Sequence, residues 1–189
     1  MQYQVDESNN AKYGAYSLSG SVGLFGKLQL ENGWLLGADS NFIPTKIFTD
    51  TTASVTTTRS GWTENTRIYL SKQKPSTFFN PGIFLTGEYA QPNGTEYQSR
   101  KLGLDFANTM YLSSKIIFGH SAGFSDVYYP NRSSEIRNDQ IFLISMNGGY
   151  NATDYLMILV DASYLNNLSN VQTFRFDRWS GSLTGLYRF

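Results

Sequence analysis

The sequence predicts an all-β protein: a single antiparallel, up-and-down transmembrane β-barrel of about ten strands, with short turns at one end and longer loops at the other. Three observations carry that expectation. Apolar and polar residues alternate with period two along most of the chain, and no segment holds an apolar stripe at i, i+3 and i+4 over successive turns. Charged residues make up only 16% of the 189, against about 25% in an ordinary soluble domain; Ser, Thr, Asn and Gly supply the remaining polarity. Aromatics reach 15%, with 13 Tyr and 13 Phe. A membrane barrel uses such residues twice, as strand formers and as interfacial girdles.

The length fits one domain spanning residues 1–189. Basic and acidic residues balance at 15 each, so there is no global electrostatic case for nucleic acid. The absence of cysteine excludes disulfides and thiolate chemistry, and suits an envelope protein. The longest apolar run, Tyr155 to Val160, is far short of the ~20 residues of a membrane helix, whereas a barrel strand needs only about ten in alternation. Met1-Gln2-Tyr3-Gln4 has neither the basic start nor the apolar stretch of a signal peptide. If exported, the chain is expected to be a mature form or the C-terminal part of a longer one.

In chain order, Tyr3–Glu7 is a short first strand. From Tyr16 to Leu30 the alternation is unbroken: Tyr16, Leu18, Gly20, Val22, Leu24, Gly26, Leu28 and Leu30 oppose Ser17, Ser19, Ser21, Gly23, Phe25, Lys27 and Gln29. Glu31-Asn32-Gly33 reads as a hairpin turn, because Asn-Gly tolerates left-handed backbone. Trp34–Ile43 returns, and Thr49–Ser60 is a Thr-rich loop. Trp62–Ser71 is the next strand, with Glu64 on its apolar face. The link Gln73–Pro81 leads to a strand over residues 83–90, and Gln91–Gln98 is a loop. Leu102, Leu104, Phe106 and Met110 then oppose Lys101, Asp105 and Thr109. Ser113-Ser114 turns the chain into Ile116–Val127, whose faces are ambiguous. Tyr128–Glu135 is a polar loop. In Ile136–Tyr150, Phe142, Ile144, Met146 and Tyr150 oppose Arg137, Asp139, Ser145 and Asn147. Asn151–Asp154 is a turn, Leu156–Leu165 a strand, and Asn166–Asn170 a loop. That makes nine strands, ten with the first segment, and single-chain bacterial barrels have even counts.

The terminal stretch places Trp179, Gly181, Leu183, Gly185, Tyr187 and Phe189 on one face and Ser180, Ser182, Thr184, Leu186 and Arg188 on the other. Its aromatic end, with Tyr187 two residues before Phe189, resembles the C-terminal signal that the barrel-assembly machinery reads in bacterial outer-membrane barrels. The resemblance implies Leu183, Tyr187 and Phe189 as that signal. It implies a periplasmic end for the last strand. The turns at Glu31–Gly33, Gln73–Pro81, Ser113–Ser114 and Asn151–Asp154 then share the periplasmic side, and the loops face outward.

Alternation alone does not say which face is inside. In a soluble barrel the apolar set is the core; in a membrane barrel it faces lipid. The polar faces carry small residues and both charge signs, as a narrow lumen pairing its charges would. The expected lumen network is Lys27, Asp39, Arg67, Glu88, Lys101, Asp105, Arg137, Asp139, Asp161, Arg178 and Arg188. His120 is the one histidine, and its neighbour Ser121 points to the opposite face, so a Ser–His pair needs a serine from an adjacent strand. One histidine and no cysteine give no spaced ligand set, so no metal or cofactor is expected.

Arg137-Asn138-Asp139, Gly148-Gly149-Tyr150, Tyr164, Ser169-Asn170, Phe176-Asp177-Arg178 and Tyr187-Arg188-Phe189 together resemble the last three strands of a broad group of outer-membrane barrels. Some of that group follow periplasmic tetratricopeptide repeats and help export surface lipoproteins or polysaccharides. Val5-Asp6-Glu7-Ser8-Asn9 resembles their entry strand. The resemblance implies an integral outer-membrane location, with lipid, the assembly machinery and periplasmic or surface proteins as partners. The expected function is non-enzymatic: a narrow pore, an export conduit, or a structural and interaction platform. Two alternatives stand beside it, an outer-membrane hydrolase using His120 and a soluble ligand-binding barrel.

Overall fold

The computed structural model describes residues 2–6, 15–49, 60–72, 79–94, 97–131 and 135–187. The regular structure among these is almost all strand, with 3-10 turns at Glu31–Gly33 and Gln172–Phe174. The strands are β1 (Gln2–Asp6), β2 (Ala15–Ser19), β3 (Val22–Gln29), β4 (Trp34–Thr49), β5 (Gly61–Lys72), β6 (Asn80–Pro92), β7 (Ser99–Tyr111), β8 (Ile116–Tyr129), β9 (Arg137–Asn151), β10 (Leu156–Ser169) and β11 (Phe176–Tyr187). They form one antiparallel meander, ordered β1-β2-β4-β5-β6-β7-β8-β9-β10-β11, with β3 on β4 beside β2.

β2 and β3 lie on one line, so the sheet has ten strand lines. Their ladders to β4 keep the same register, Ser19 opposite Thr45 and Val22 opposite Phe42. The strand expected over Tyr16–Leu30 is thus interrupted only at Gly20-Ser21. Pro44 of β4 stands beside that gap. It accepts a bond from the Gly20 N–H at 3.4 Å but has no N–H to return, so the ladder breaks there without a slip. The turn after β3 holds Asn32 at φ 56° and Gly33 at φ 77°, backbone that these two residues adopt at low cost. The Leu30 N–H closes it on Trp34 O at 2.8 Å.

Several expected boundaries move. β4 runs on to Thr49, β6 begins at Asn80, and β11 begins at Phe176. The segment expected as a loop at Asn166–Asn170 is strand as far as Ser169, because Asn166 and Asn167 continue the ladder opposite Asp177 and Phe176. The loop is 170–175. The larger correction concerns closure. Among the described residues the sheet is open: β1 and β3 form one edge, β11 the other, and no ladder joins them. β1 is only five residues long and pairs with β2 alone, leaving β3 with β4 as its one neighbour.

Exposure alternates with the polarity of the sequence in the middle of the sheet, as along β7, whereas the edge strands β3 and β11 are exposed on both faces. In β7, Leu102 and Leu104 are exposed while Gly103 and Asp105 are covered or half-covered. A single sheet with nothing packed on either side exposes its two faces equally if flat, so the sheet curls with its polar face inside. Directly opposed residues share a face. One inner row reads Phe25, Asp39, Arg67, Thr86, Gly103, Ser125, Ile141, Asn167, Phe176. We call the Trp34 end of β4 the lower end. The row crosses β4 in mid-strand yet reaches β11 at Phe176, its uppermost residue. The strands therefore slide by roughly one residue per neighbour. With a rise of ~3.3 Å and a spacing of ~4.8 Å, that slide is a tilt of about 35°, at the low end of barrel tilts.

Candidate functional site

The inner face is the candidate site, and its two halves differ. The β4–β7 half is bulky and charged. Arg67 donates from Nε and Nη2 to Asp39 Oδ2 at 3.0 and 2.9 Å. Its guanidinium lies 5.3 Å from the Tyr69 ring and 5.9 Å from that of Phe84, and the two rings are 6.0 Å apart. Glycines make room for them: a Cβ on Gly37 would collide with the Tyr69 ring, and one on Gly82 would meet Phe84 at 2.8 Å. Glu88 stands opposite Lys101. Asp39, Asn41, Asn65, Arg67, Thr86, Glu88, Lys101 and Asp105 line a recess of about 390 Å³. The Asp105 carboxylate extends over Gly123 of the next strand.

The β8–β11 half has a small, hydroxylated band across its middle, with larger residues such as Ile141, Leu143, Leu165 and Arg178 above it. Ser121, Ser145, Ser163 and Ser180 fall in one ladder row. The Ser121 and Ser145 hydroxyls are 2.6 Å apart, and those of Ser163 and Ser180 are 2.7 Å apart. Ser182 donates to Asp161 Oδ2 at 3.1 Å. Gly119, Gly123 and Gly149 lie on the same face.

At the upper rim a third cluster ties down the β10–β11 loop. Arg137 Nε is 2.8 Å from both carboxylate oxygens of Asp139, and Nη2 also donates to Oδ2. Its guanidinium is sandwiched between the Phe174 ring at 3.8 Å and the Tyr129 ring at 4.5 Å. Asp139 is 1% exposed and Asn167 3%. Asn167 Nδ2 donates to Phe174 O at 2.7 Å, and Arg175 Nε to Ser169 O at 2.6 Å. Asn170 bridges to β9, accepting from the Asn138 N–H at 2.7 Å and donating to Ile136 O at 2.8 Å. These contacts fasten the β10–β11 loop to β9 and β10.

The ladders place Lys27, Asp39, Arg67, Glu88, Lys101, Asp105, Arg137, Asp139, Asp161 and Arg178 all on the inner face. They bring together Asp39 with Arg67 and Arg137 with Asp139. Lys27 Nζ instead lies 5.9 Å over Phe25, Asp161 takes the Ser182 hydroxyl, and Arg178 is opposite Leu165. Arg188 and Phe189 lie outside the described residues. Leu183 and Tyr187 are outward on β11, opposite Val160 and Leu156.

The outer face is apolar. Among the described residues, almost every large apolar side chain is at least partly exposed; only Leu35 and Val127 are buried. The outward charges on the strands are Lys46, Glu64, Lys72, Arg100, Asp126 and Asp177, each near a strand end. Between them runs an apolar belt bounded by aromatics: Trp34 and Phe42 on β4, Phe142 and Tyr150 on β9, Trp179 and Tyr187 on β11. On each strand the two are eight residues apart. At the tilt above, that is ~22 Å of height, close to the ~25 Å apolar band of outer-membrane barrels. The upper aromatics touch across strands, Phe42 with Trp62 and Trp62 with Tyr89 at 5.4 Å, Tyr164 with Trp179 at 4.8 Å. This polarity is the reverse of a soluble barrel, whose apolar face is its core.

The ambiguous strand is settled as well. Ile116, Phe118, His120, Ala122 and Phe124 face outward with Tyr150, Gly148, Met146, Ile144 and Phe142. His120 sits between the Phe118 and Phe106 rings, at 5.9 and 6.4 Å. Its outward neighbours Phe118, Ala122, Asn108 and Met146 carry no hydroxyl. Ser121 is on the inner face, bonded to Ser145. Asp126 is outward and Asp139 inward, so the two do not converge on it. Among the described residues no cluster of His, Asp and Glu could hold a metal ion.

The difference between the two inner halves was not drawn from the sequence, although Arg67, Tyr69, Phe84 and the serines occupy alternate positions where a count of side-chain size per strand finds it. The Arg137 sandwich has no such signal, since its partners come from β8 and the β10–β11 loop. No family model, no curated protein and no solved structure matches this chain.

Proposed function

We propose that this chain is a non-enzymatic β-barrel of the bacterial outer membrane, closed by β1 against the upper half of β11, whose polar inner face lines a narrow pore. The observation that carries this is the outer face: an apolar belt ~22 Å high, edged with aromatics, with its charges near the strand ends and polar breaks at Ser40 and Thr66, whose hydroxyls bond to each other beside Glu64, and at Asn108 and His120. In water such a face would be a severe aggregation liability; in lipid it is the expected surface. The stagger supports closure, because the tilt it implies is one at which ten strands close. Ten strands at that tilt make a cylinder ~19 Å across between backbones. The side chains of the β4–β7 half fill much of that width and face the serine wall. The passage left is narrow and suits small hydrated solutes or ions.

On this reading the partners are membrane lipid around the belt and the assembly machinery at Leu183, Tyr187 and Phe189. An export conduit or an interaction platform uses the same wall, and the export-associated barrels it resembles are the natural comparison.

The test is folding into detergent or lipid. A gel shift between unboiled and boiled protein, β-rich circular dichroism and single-channel conductance of small unitary size are expected. A monodisperse soluble monomer without detergent would sink the membrane assignment. The seam has its own assay, since the chain has no cysteine. A total stagger of about ten residues sets Gln4 opposite Arg178, and one of about twelve sets it opposite Ser180. Odd values would turn β1 inside out. Gln4→Cys paired with Arg178→Cys, or with Ser180→Cys, then forms a disulfide under mild oxidation in one of the two registers.

A further inference from the structure

The slide of about one residue per strand line puts the inward charges at definable heights along the barrel axis. Asp39 on β4 and Asp161 on β10 come to the same height, and Arg67 on β5 and Asp105 on β7 about one residue above it. β4, β7 and β10 are three lines apart in the sheet. On closure the three carboxylates therefore stand about 110° from one another around the wall. Phe25, Tyr69 and Phe84 also point inward within about one residue of this height. The bulkiest side chains thus narrow the passage at the level of the carboxylates. Arg67 neutralises Asp39. Among the described residues no Lys or Arg lies within ion-pair distance of Asp105 or Asp161.

A second observation, independent of that charge balance, points to the same solutes. Around Asp161 the serine band forms a recess of about 290 Å³, to which Ser145, Asn147, Ser163, Ser180 and Ser182 contribute. Among the described residues no Lys or Arg borders it. Hydroxyl and amide oxygens of this kind replace hydration water around a cation.

We infer that the constriction passes small inorganic cations in preference to anions, with Asp105 and Asp161 as specificity-determining residues. The inference rests on the pore assignment above. On a wall ~19 Å across, carboxylates at these positions lie roughly 10 Å from one another and ~6 Å from the axis. Both distances are within about one Debye length at 0.1 M salt, so their fields overlap on the axis. The basic residues stand further along it. Lys27 is about three residues below, ~8 Å, and Lys101 and Arg178 are about five above, ~13 Å, with Glu88 opposite Lys101. The Ser182 hydroxyl donates to Asp161 Oδ2 at 3.1 Å, and the missing Cβ of Gly123 leaves room for the Asp105 carboxylate. Both carboxylates are thereby held at the constriction by neighbours that carry no charge.

The experiment uses the full chain folded in detergent, checked by its gel shift and reconstituted into planar bilayers of neutral lipid. The reversal potential in a potassium chloride gradient is expected to give a potassium-over-chloride permeability ratio of about five or more. Asp105→Asn combined with Asp161→Asn should lower the ratio to about one to two. Asp177→Asn, outward near a strand end, should leave it unchanged. Asp161→Cys gives a second readout on one folded protein, because the chain has no other thiol. An anionic methanethiosulfonate should restore the cation preference there, and a cationic one should abolish it. A ratio at or below about one in wild-type channels would overturn the cation preference and leave the pore standing. A preference that survives both substitutions and both reagents would overturn the roles of Asp105 and Asp161. Folded protein without conductance would remove the pore and its selectivity together.

Discussion

The two halves of the inner face share one backbone geometry and differ in what they put on it. From β4 to β7 the inward positions hold Asp39, Arg67, Tyr69, Phe84, Glu88 and Lys101, and glycines are spent making room for rings. From β8 to β11 the middle of the wall holds Ser121, Ser145, Ser163 and Ser180 with Gly119, Gly123 and Gly149, while larger residues such as Leu143, Leu165 and Arg178 lie above that row, and the hydroxyls bond in pairs across the ladder. The large residues are supported by charge pairing and ring contact, the small ones by short hydroxyl bonds. On the proposed closure, a tube this narrow cannot be lined uniformly with large side chains. One wall fills the space and the opposite wall yields it.

Filling the yielding wall should have the largest effect. Ser163→Trp is expected to cut conductance by more than about tenfold while leaving the gel shift intact, because the indole would enter space the opposite half already occupies. An unchanged conductance would mean the passage does not run along this wall. Next comes the packing of the filled half. Gly37→Val drives a side chain into the Tyr69 ring and should cost about 1–3 kcal/mol in a urea titration of the lipid-embedded protein. Gly148→Val, outward and with open space around it, is the matched control and should be neutral or slightly stabilising. If the two behave alike, the glycine–aromatic contact is not what holds the charged half.

The ionic contact is worth less than its geometry invites. Arg67 has its side chain about half exposed, at 49%, so a double-mutant cycle with Asp39→Ala and Arg67→Ala should give a coupling of about 1 kcal/mol or less. A markedly larger coupling would show that the half is drier than its exposure implies. Comparable or smaller effects belong to truncations on the serine band and the outer face. Ser121→Ala should cost about 0.5–1.5 kcal/mol for its bond to Ser145. His120→Ala should leave conductance unchanged and reveal no lost hydrolysis of lipid or ester substrates.

Much of the fold was legible because alternation is a local signal. The faces of β3, β4, β7, β9 and β10 could be written from the chain, and Asn32-Gly33 marked its hairpin. β8 was not legible: Gly119-His120-Ser121-Ala122-Gly123 has little contrast in size or polarity, and only the ladder to β9 orients it. The Asn-rich end of β10 resembled a loop because Asn and Ser favour turns, yet opposite Phe176 and Asp177 they continue the sheet. Pro44 was visible, but its effect falls on a different strand, at Gly20-Ser21.

Because every strand line is bonded to the next along the chain, with β2 and β3 counting as one line, the meander also sets a time order for assembly. Each neighbouring pair closes a loop short enough for little entropy to be lost, and such hairpins form in microseconds to milliseconds. In the proposed barrel, the one joint that pairs strands far apart in the sequence is that of β1 with β11, which makes it the slow, late event of folding. A chain arrested before that step is a curved ribbon with a wet inner side, a greasy outer side and two adhesive borders. Its fate is decided by whichever meets those borders first: each other, or a neighbour.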